Sequence, residues 1–195
     1  MIRTLTAVLA IGLLLLGDLS AQEPSGNEQL LFVEPEKWVQ LYADREGNLS
    51  TTEYVPKGQT ADDWKEMLSV QIAVDTPDAD PNEMLTRAAL FLAKSCPDYR
   101  LHPIELGGVG DYPTLALMLM CGKSTESGRG EFTILRAISG KQNFYLLQKI
   151  WRGTPYTASD DPPVSLDERK LWLGYLAFQT VCDQAAGTCP GNVAE

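Results

Sequence analysis

Any chemistry in this chain would have to start from a single histidine, four cysteines and a few motif-like fragments. His102 is the single histidine, the side-chain type most used for acid–base work near neutral pH. It precedes Pro103 in an extended segment, and a general base needs a positioned nucleophile. No serine stands in a Gly-x-Ser-x-Gly context, so His102 reads as a surface or packing residue. Gly122-Lys123-Ser124 matches the end of a phosphate-binding loop, but the position of the first required Gly is Leu117, inside a strand. Gly108 and Gly110 open a Gly-x-Gly-x-x-Gly pattern that fails at Pro113, and a loop between strands is the better reading. Asp78, Asp80 and Asn82 have the opening spacing of a calcium loop. Glu83 and Ala89 stand where its Gly and bidentate acid belong, and Asp80 reads as a helix cap. No catalytic residue, metal ligand or cofactor is assigned. The fragment with binding character is Trp151-Arg152-Gly153-Thr154-Pro155-Tyr156, at the end of the last strand of a series. Trp, Arg and Tyr are over-represented at binding hot spots, so Trp151, Arg152 and Tyr156 are candidate binding residues, with Trp172 further along. The competing reading is an aromatic strand end folded back over the sheet.

The cysteines are Cys96, Cys121, Cys182 and Cys189. No Cys-x-x-Cys pair is present, and one histidine cannot supply a site that needs two. In an oxidising compartment the default is two disulfides, for which three pairings exist. Cys182 and Cys189 flank a Gly-containing loop and pair with each other, which leaves Cys96 with Cys121. The chain-entropy stabilisation is about 2.5 kcal/mol for the short loop and about 3.5 for the longer one.

The N-terminus supplies the compartment. Arg3, an apolar run from Leu5 to Leu16 and a short stretch ending at Ala21 have the order of a cleaved secretory signal. That run is too short to span a bilayer core of about 30 Å. Residues 1–21 are therefore expected to be removed, and the protein to reside in the periplasm or outside the cell. Residues 22–36 are expected as a loose leader, and 37–195 as a single domain. No later run approaches the length of a membrane span, so the remaining chain should not insert into a bilayer. A formal net charge of −10 repels phosphate backbones and anionic membrane surfaces. The expected partner is a protein or a small ligand, not nucleic acid.

The elements that must position these residues follow from patterning. Trp38–Ala43 and Leu49–Val55 read as a β-hairpin around Asp44–Asn48. Three helix starts are marked by caps: Thr60 ahead of Trp64, Met67 and Leu68; Asp80-Pro81-Asn82-Glu83; and Ser165-Leu166-Asp167-Glu168. The second helix should run to about Ser95, with Met84, Ala88 and Phe91 as its apolar stripe. The third should run to about Cys182, with Leu171, Tyr175, Phe178 and Cys182 on one face. Trp172, Leu173 and Leu176 are then left on its flanks, to be covered by the leader, by the 153–164 loop or by a partner. Strands are expected at Ser69–Val74, Tyr99–Leu106, Thr114–Cys121, Glu131–Ile138 and Phe144–Trp151. Leu115–Met120 is apolar on both faces and reads as a central strand. The sum is an α+β fold, one antiparallel sheet with helices packed over it.

This element order resembles the PsbP/Mog1-like αβα sandwich, a small fold that in bacteria occurs in exported and secretion-associated proteins. Glu53-Tyr54-Val55-Pro56-Lys57-Gly58-Gln59-Thr60 to Trp64, with the end from Cys182-Asp183 to Cys189-Pro190, also looks like a group of short exported proteobacterial proteins of unknown function. The resemblance implies compartment and fold and carries no catalytic residues. Members of the wider fold mostly act as binding or assembly factors, so a non-enzymatic binding or assembly module is the first expectation. A hydrolase using paired carboxylates is the second. A structural or envelope-stress protein without a defined ligand is the third.

Overall fold

A computed structural model describes residues 26–108 and 110–190; the expected signal segment, 1–21, lies outside them. Among the described residues, nine strands and two helices follow in order: β1 Glu28–Leu31, β2 Trp38–Glu46, β3 Leu49–Pro56, β4 Glu66–Ala73, α1 Pro81–Ala93, β5 Tyr99–Ile104, β6 Thr114–Cys121, β7 Gly130–Ser139, β8 Phe144–Gly153, α2 Leu166–Phe178 and β9 Thr180–Asp183. β2 to β8 form one antiparallel sheet in the order β2-β3-β4-β8-β7-β6-β5, and β1 pairs with β9 in a two-stranded sheet. The α+β antiparallel architecture matches the patterning, as do the hairpin and the four-strand meander from β5 to β8.

Successive side chains of a strand point to opposite faces, and β7 shows what each face meets. Phe132, Ile134 and Ile138 pack with Trp172 and Leu176 of α2. Leu135 and Ala137 pack with Leu85, Ala89 and Ala93 of α1. The molecule is therefore three layers, with α1 on one face of the sheet and α2 on the other. Cys96–Cys121 ties the loop after α1 to the end of β6, and Cys182–Cys189 closes the loop after β9, in the expected pairing.

Several local expectations are corrected. Residues 60–65 form a turn, not a helix. Gln59 Oε1 accepts hydrogen bonds from Lys65 N and Glu66 N, and Glu66 then pairs with Trp151. The apolar positions after Thr60 belong to a strand period, and too few residues remain before β4 to nucleate a helix. In α1 the buried stripe is Leu85, Ala89 and Ala93; Phe91, expected inward, is 68% exposed. The two alanines let the helix approach the sheet closely, and that sets its roll. In α2 the inward pair is Trp172 and Leu176, while Leu171 and Phe178 are 69% and 72% exposed. The helix ends at Phe178 because Gln179 adopts an extended conformation. The buried Arg136 Nη1 donates to the carbonyls of Leu176 and Gln179 there, and the following Thr180–Asp183 joins β1. Finally, β6 is next to the sheet edge, not central. Its apolar run reports two covered faces: Leu117 and Leu119 lie under α1, and Met118 and Met120 on the α2 side. Leu115, near its end, is exposed.

Within the stretch expected as a loose leader, residues 28–31 are β1. Glu28 is fully buried, and its carboxylate accepts from Lys141 N, Asn143 N and the Tyr145 hydroxyl at 2.7–3.1 Å. It thus closes the β7–β8 turn from a distance in sequence that no local pattern could signal. Glu28→Gln puts an amide N–H against these donors and should cost about 2 kcal/mol in urea denaturation; a change of a few tenths would mean the turn closes without it.

Candidate functional site

α1 packs on β6 and β7 and leaves the part of the same sheet face built by β3, β4 and β8 open beside it. β8 forms the floor of the resulting groove with alternate residues, Phe144, Leu146, Gln148, Ile150 and Arg152. At one end a hollow of about 380 Å³ is lined by Leu49, Ala73, Met84, Phe91, Phe144 and Leu146, with Gln71 and Gln148 among them. A second hollow of about 300 Å³ adjoins it across Leu92 and is bounded by Glu53, Trp64, Met67, Glu131, Ile150 and Arg152. The groove is thus mainly apolar at the Phe144 end, where the one lining charge, Arg87, is paired with Glu83 at 2.6 Å, and charged at the Arg152 end.

The charged end has a defined geometry. Arg152 Nε donates to Glu131 Oε1 at 2.8 Å, and the same oxygen accepts from Ser127 Oγ at 3.0 Å. The guanidinium lies over Trp64, 3.6 Å from the ring centroid. Glu53 is half-buried, and that burial pushes its carboxyl above the usual carboxylate range, with the charge of Arg152 opposing the rise. Among the described residues, Glu53, Gln71 and Gln148 make no side-chain hydrogen bond, although Gln148 is only 6% exposed. Glu53 and Gln71 are half-buried, and all three side chains line the two hollows.

The four residues singled out from the sequence divide between the two faces. Arg152 is in the groove. Trp172, on the inward side of α2, makes edge-to-face contacts with Trp38, with Tyr175 of the same helix and with Trp151 on the sheet below, and the Trp151 indole donates to Glu168 at 2.6 Å. These rings enclose Lys149, whose Nζ sits 4.1–4.9 Å from the centroids of Trp38, Trp151 and Trp172 and 2.7 Å from Glu66. Burial pulls this ammonium down to about 8, against the opposing charges of Glu66 and Glu168. Tyr156 donates its hydroxyl to the Glu131 carbonyl and packs over Gly130, where a Cβ would collide with it.

The fragments set aside in the sequence fall away from the groove. His102 is exposed on the edge strand β5. Ser124 Oγ accepts the Glu126 and Ser127 amides of its own turn. Asp80 caps α1 by accepting from Asn82 N at 2.9 Å. Among the described residues no three His, Cys, Asp or Glu side chains gather as a metal site, and no helix is long and apolar enough to cross a membrane. Sequence reasoning missed Glu53, Gln71 and Gln148. Their signal was a polar residue on one side of an otherwise apolar or β-branched strand, which became meaningful only when three such strands aligned.

No protein-family model and no curated protein matches the sequence. Among solved structures the chain is similar to LpqN, involved in cell envelope biogenesis of Mycobacterium tuberculosis, at 14% identity over 82% of this chain and 87% of that one, with a TM-score of 0.41.

Proposed function

We propose that this protein is an exported, non-enzymatic binding module of PsbP/Mog1-like fold, which takes an apolar ligand or partner segment into the groove beside α1. The observation that carries the reading is the apolar hollow, with Phe91 and Leu49 standing exposed at its rim. Apolar surface held open by a framework of two disulfides and a seven-stranded sheet is a feature of binding sites. The apolar N-terminal run and the two disulfides support export. One observation favours a hydrolase: Glu53 and Glu131 line the same hollow. Against it, Glu131 is tied to Arg152 and Ser127, and Arg152 supplies a positive charge to both carboxylates. Glu131 is thus held as a charged partner of Arg152, and the pair of acids is not free to act together.

Nile red, a neutral dye that brightens in apolar surroundings, tests the reading. The purified protein should enhance its emission, and Leu49→Asp/Phe91→Asp should weaken binding about tenfold or more, since each apolar side chain withdrawn from the dye forfeits ~1 kcal/mol or above. Both side chains are exposed, so the melting curve should change little. No enhancement, or equal enhancement by the double variant, would remove the groove as a binding site.

A further inference from the structure

We infer that the occupant of the groove is an extended peptide segment of a partner protein, apolar along its length and carrying a Lys or Arg at the Arg152 end. This rests on the groove reading above and adds the class of ligand. Three features point to it. The floor row from Phe144 to Arg152 spans eight residue steps of one strand, roughly 27 Å at the rise of a β-strand, which is the reach of an extended segment of similar length.

The floor also holds two carboxamides, Gln71 and Gln148, without hydrogen-bond partners among the described residues. Each offers an N–H donor and a C=O acceptor together, the complement of a backbone amide. An alkyl chain laid over them would leave them unpaired, which is unfavourable. The segment would cross a sheet face and not extend an edge, so its backbone cannot join the ladder; side-chain amides must meet it instead.

Charge gives the direction. At the polar end two carboxylates, Glu53 and Glu131, face one guanidinium, and Arg152 Nε is already committed to Glu131. Glu53 has no partner among the described residues. The local excess is negative, in a chain of net charge −10, so a cationic side chain is attracted and an acidic one repelled. The Phe144 end, lined by Leu49, Met84 and Phe91, takes the apolar positions.

The experiment is selection from a phage-displayed library of random decapeptides on the purified protein, followed by anisotropy titration of a selected peptide. The expected consensus has apolar positions followed or preceded by one Lys or Arg. Replacing that basic residue by norleucine should weaken binding about fivefold, the worth of a half-buried ion pair, and Glu53→Gln should cost the parent peptide the same factor while leaving the norleucine peptide unaffected. Gln148→Leu should weaken peptide binding yet leave Nile red binding intact, which separates this inference from the groove reading. No enrichment, an acidic consensus, peptide affinity indifferent to both variants, or tighter binding of dodecylammonium than of any selected peptide would each overturn it. Should Nile red binding fail as well, the groove reading falls with it.

Discussion

Trp172→Ala should lose about 3–5 kcal/mol of stability, the range of a large aromatic truncation in a core, and lower the melting temperature by roughly 10 °C for a chain of this size. The ring is 7% exposed. It makes edge-to-face contacts with Trp38 at 5.1 Å and Tyr175 at 4.9 Å, and a longer one with Trp151 at 6.4 Å. Its removal also admits water to Lys149, whose ammonium it covers at 4.5 Å. From the sequence, Trp172 could have been covered by the leader, by the 153–164 loop or by a partner. The structure turns it inward against the sheet and Trp38, while the segment after β1 reaches the neighbouring Tyr175, whose hydroxyl donates to the Val33 carbonyl. Trp172→Phe keeps an aromatic ring in place and should cost about half as much or less. A Trp172→Ala protein that unfolds in urea within ~1 kcal/mol of the parent would contradict this packing.

Stability should rise with pH between 8 and about 10, and Lys149 should be the cause. Its folded-state pKa is pulled down to about 8 from 10.5 by burial. Below pH 8 both states carry the proton, and the folded state bears the full cost of the buried charge. Between 8 and 10.5 the unfolded chain binds more protons than the folded one, so stability increases as pH rises. The gain is about 3 kcal/mol at most, from the size of the shift. Tyrosines limit the window from above. Burial raises Tyr54 and Tyr156 to about 12 and raises Tyr145 and Tyr175 further. A group whose folded pKa is raised loses its contribution as pH climbs past its unfolded value, so the trend should reverse above about 10. Lys149→Met should abolish the rise, and its cost at neutral pH should be small, because the Glu66 carboxylate left behind is 31% exposed and regains water. Glu66→Gln should instead destabilise by about 3 kcal/mol, leaving the ammonium with aromatic faces and the more distant Glu168. Urea denaturation across the window reads all three. An equal pH slope in Lys149→Met would remove Lys149 as the cause.

The two clusters show different degrees of legibility. Trp151, Arg152 and Trp172 were picked out by residue type, and the structure gives each a specific place. It also separates them, because Trp151 and Arg152 are consecutive in a strand and must face opposite layers. Lys149 drew no notice, since a lone lysine between Gln148 and Ile150 looks like any solvated strand residue until three tryptophans from β2, β8 and α2 close over it. Glu53, Gln71 and Gln148 were invisible as a set for the same reason: they come from three strands.

The sequence by itself determined the antiparallel α+β class, the meander of four strands and the caps of α1 and α2. Each of these depends on interactions over a few residues or on the period of a strand, so each leaves a local mark. Of the two disulfides only Cys182–Cys189, seven residues apart, has such a mark, and Cys96–Cys121 followed from it by elimination. Only the tertiary structure decided the roll of both helices, the end of α2, the strand status of 28–31 and the position of β6. The roll of α1 illustrates the physical reason. Two adjacent stripes of that helix are apolar, and the local pattern cannot rank them. The small side chains of Ala89 and Ala93 permit the closer approach to β6 and β7, and that choice turns Phe91 outward to the rim of the groove. The groove exists because a short helix covers only part of a wide sheet, which is a matter of where packing partners fall in space and not of any segment's own preference.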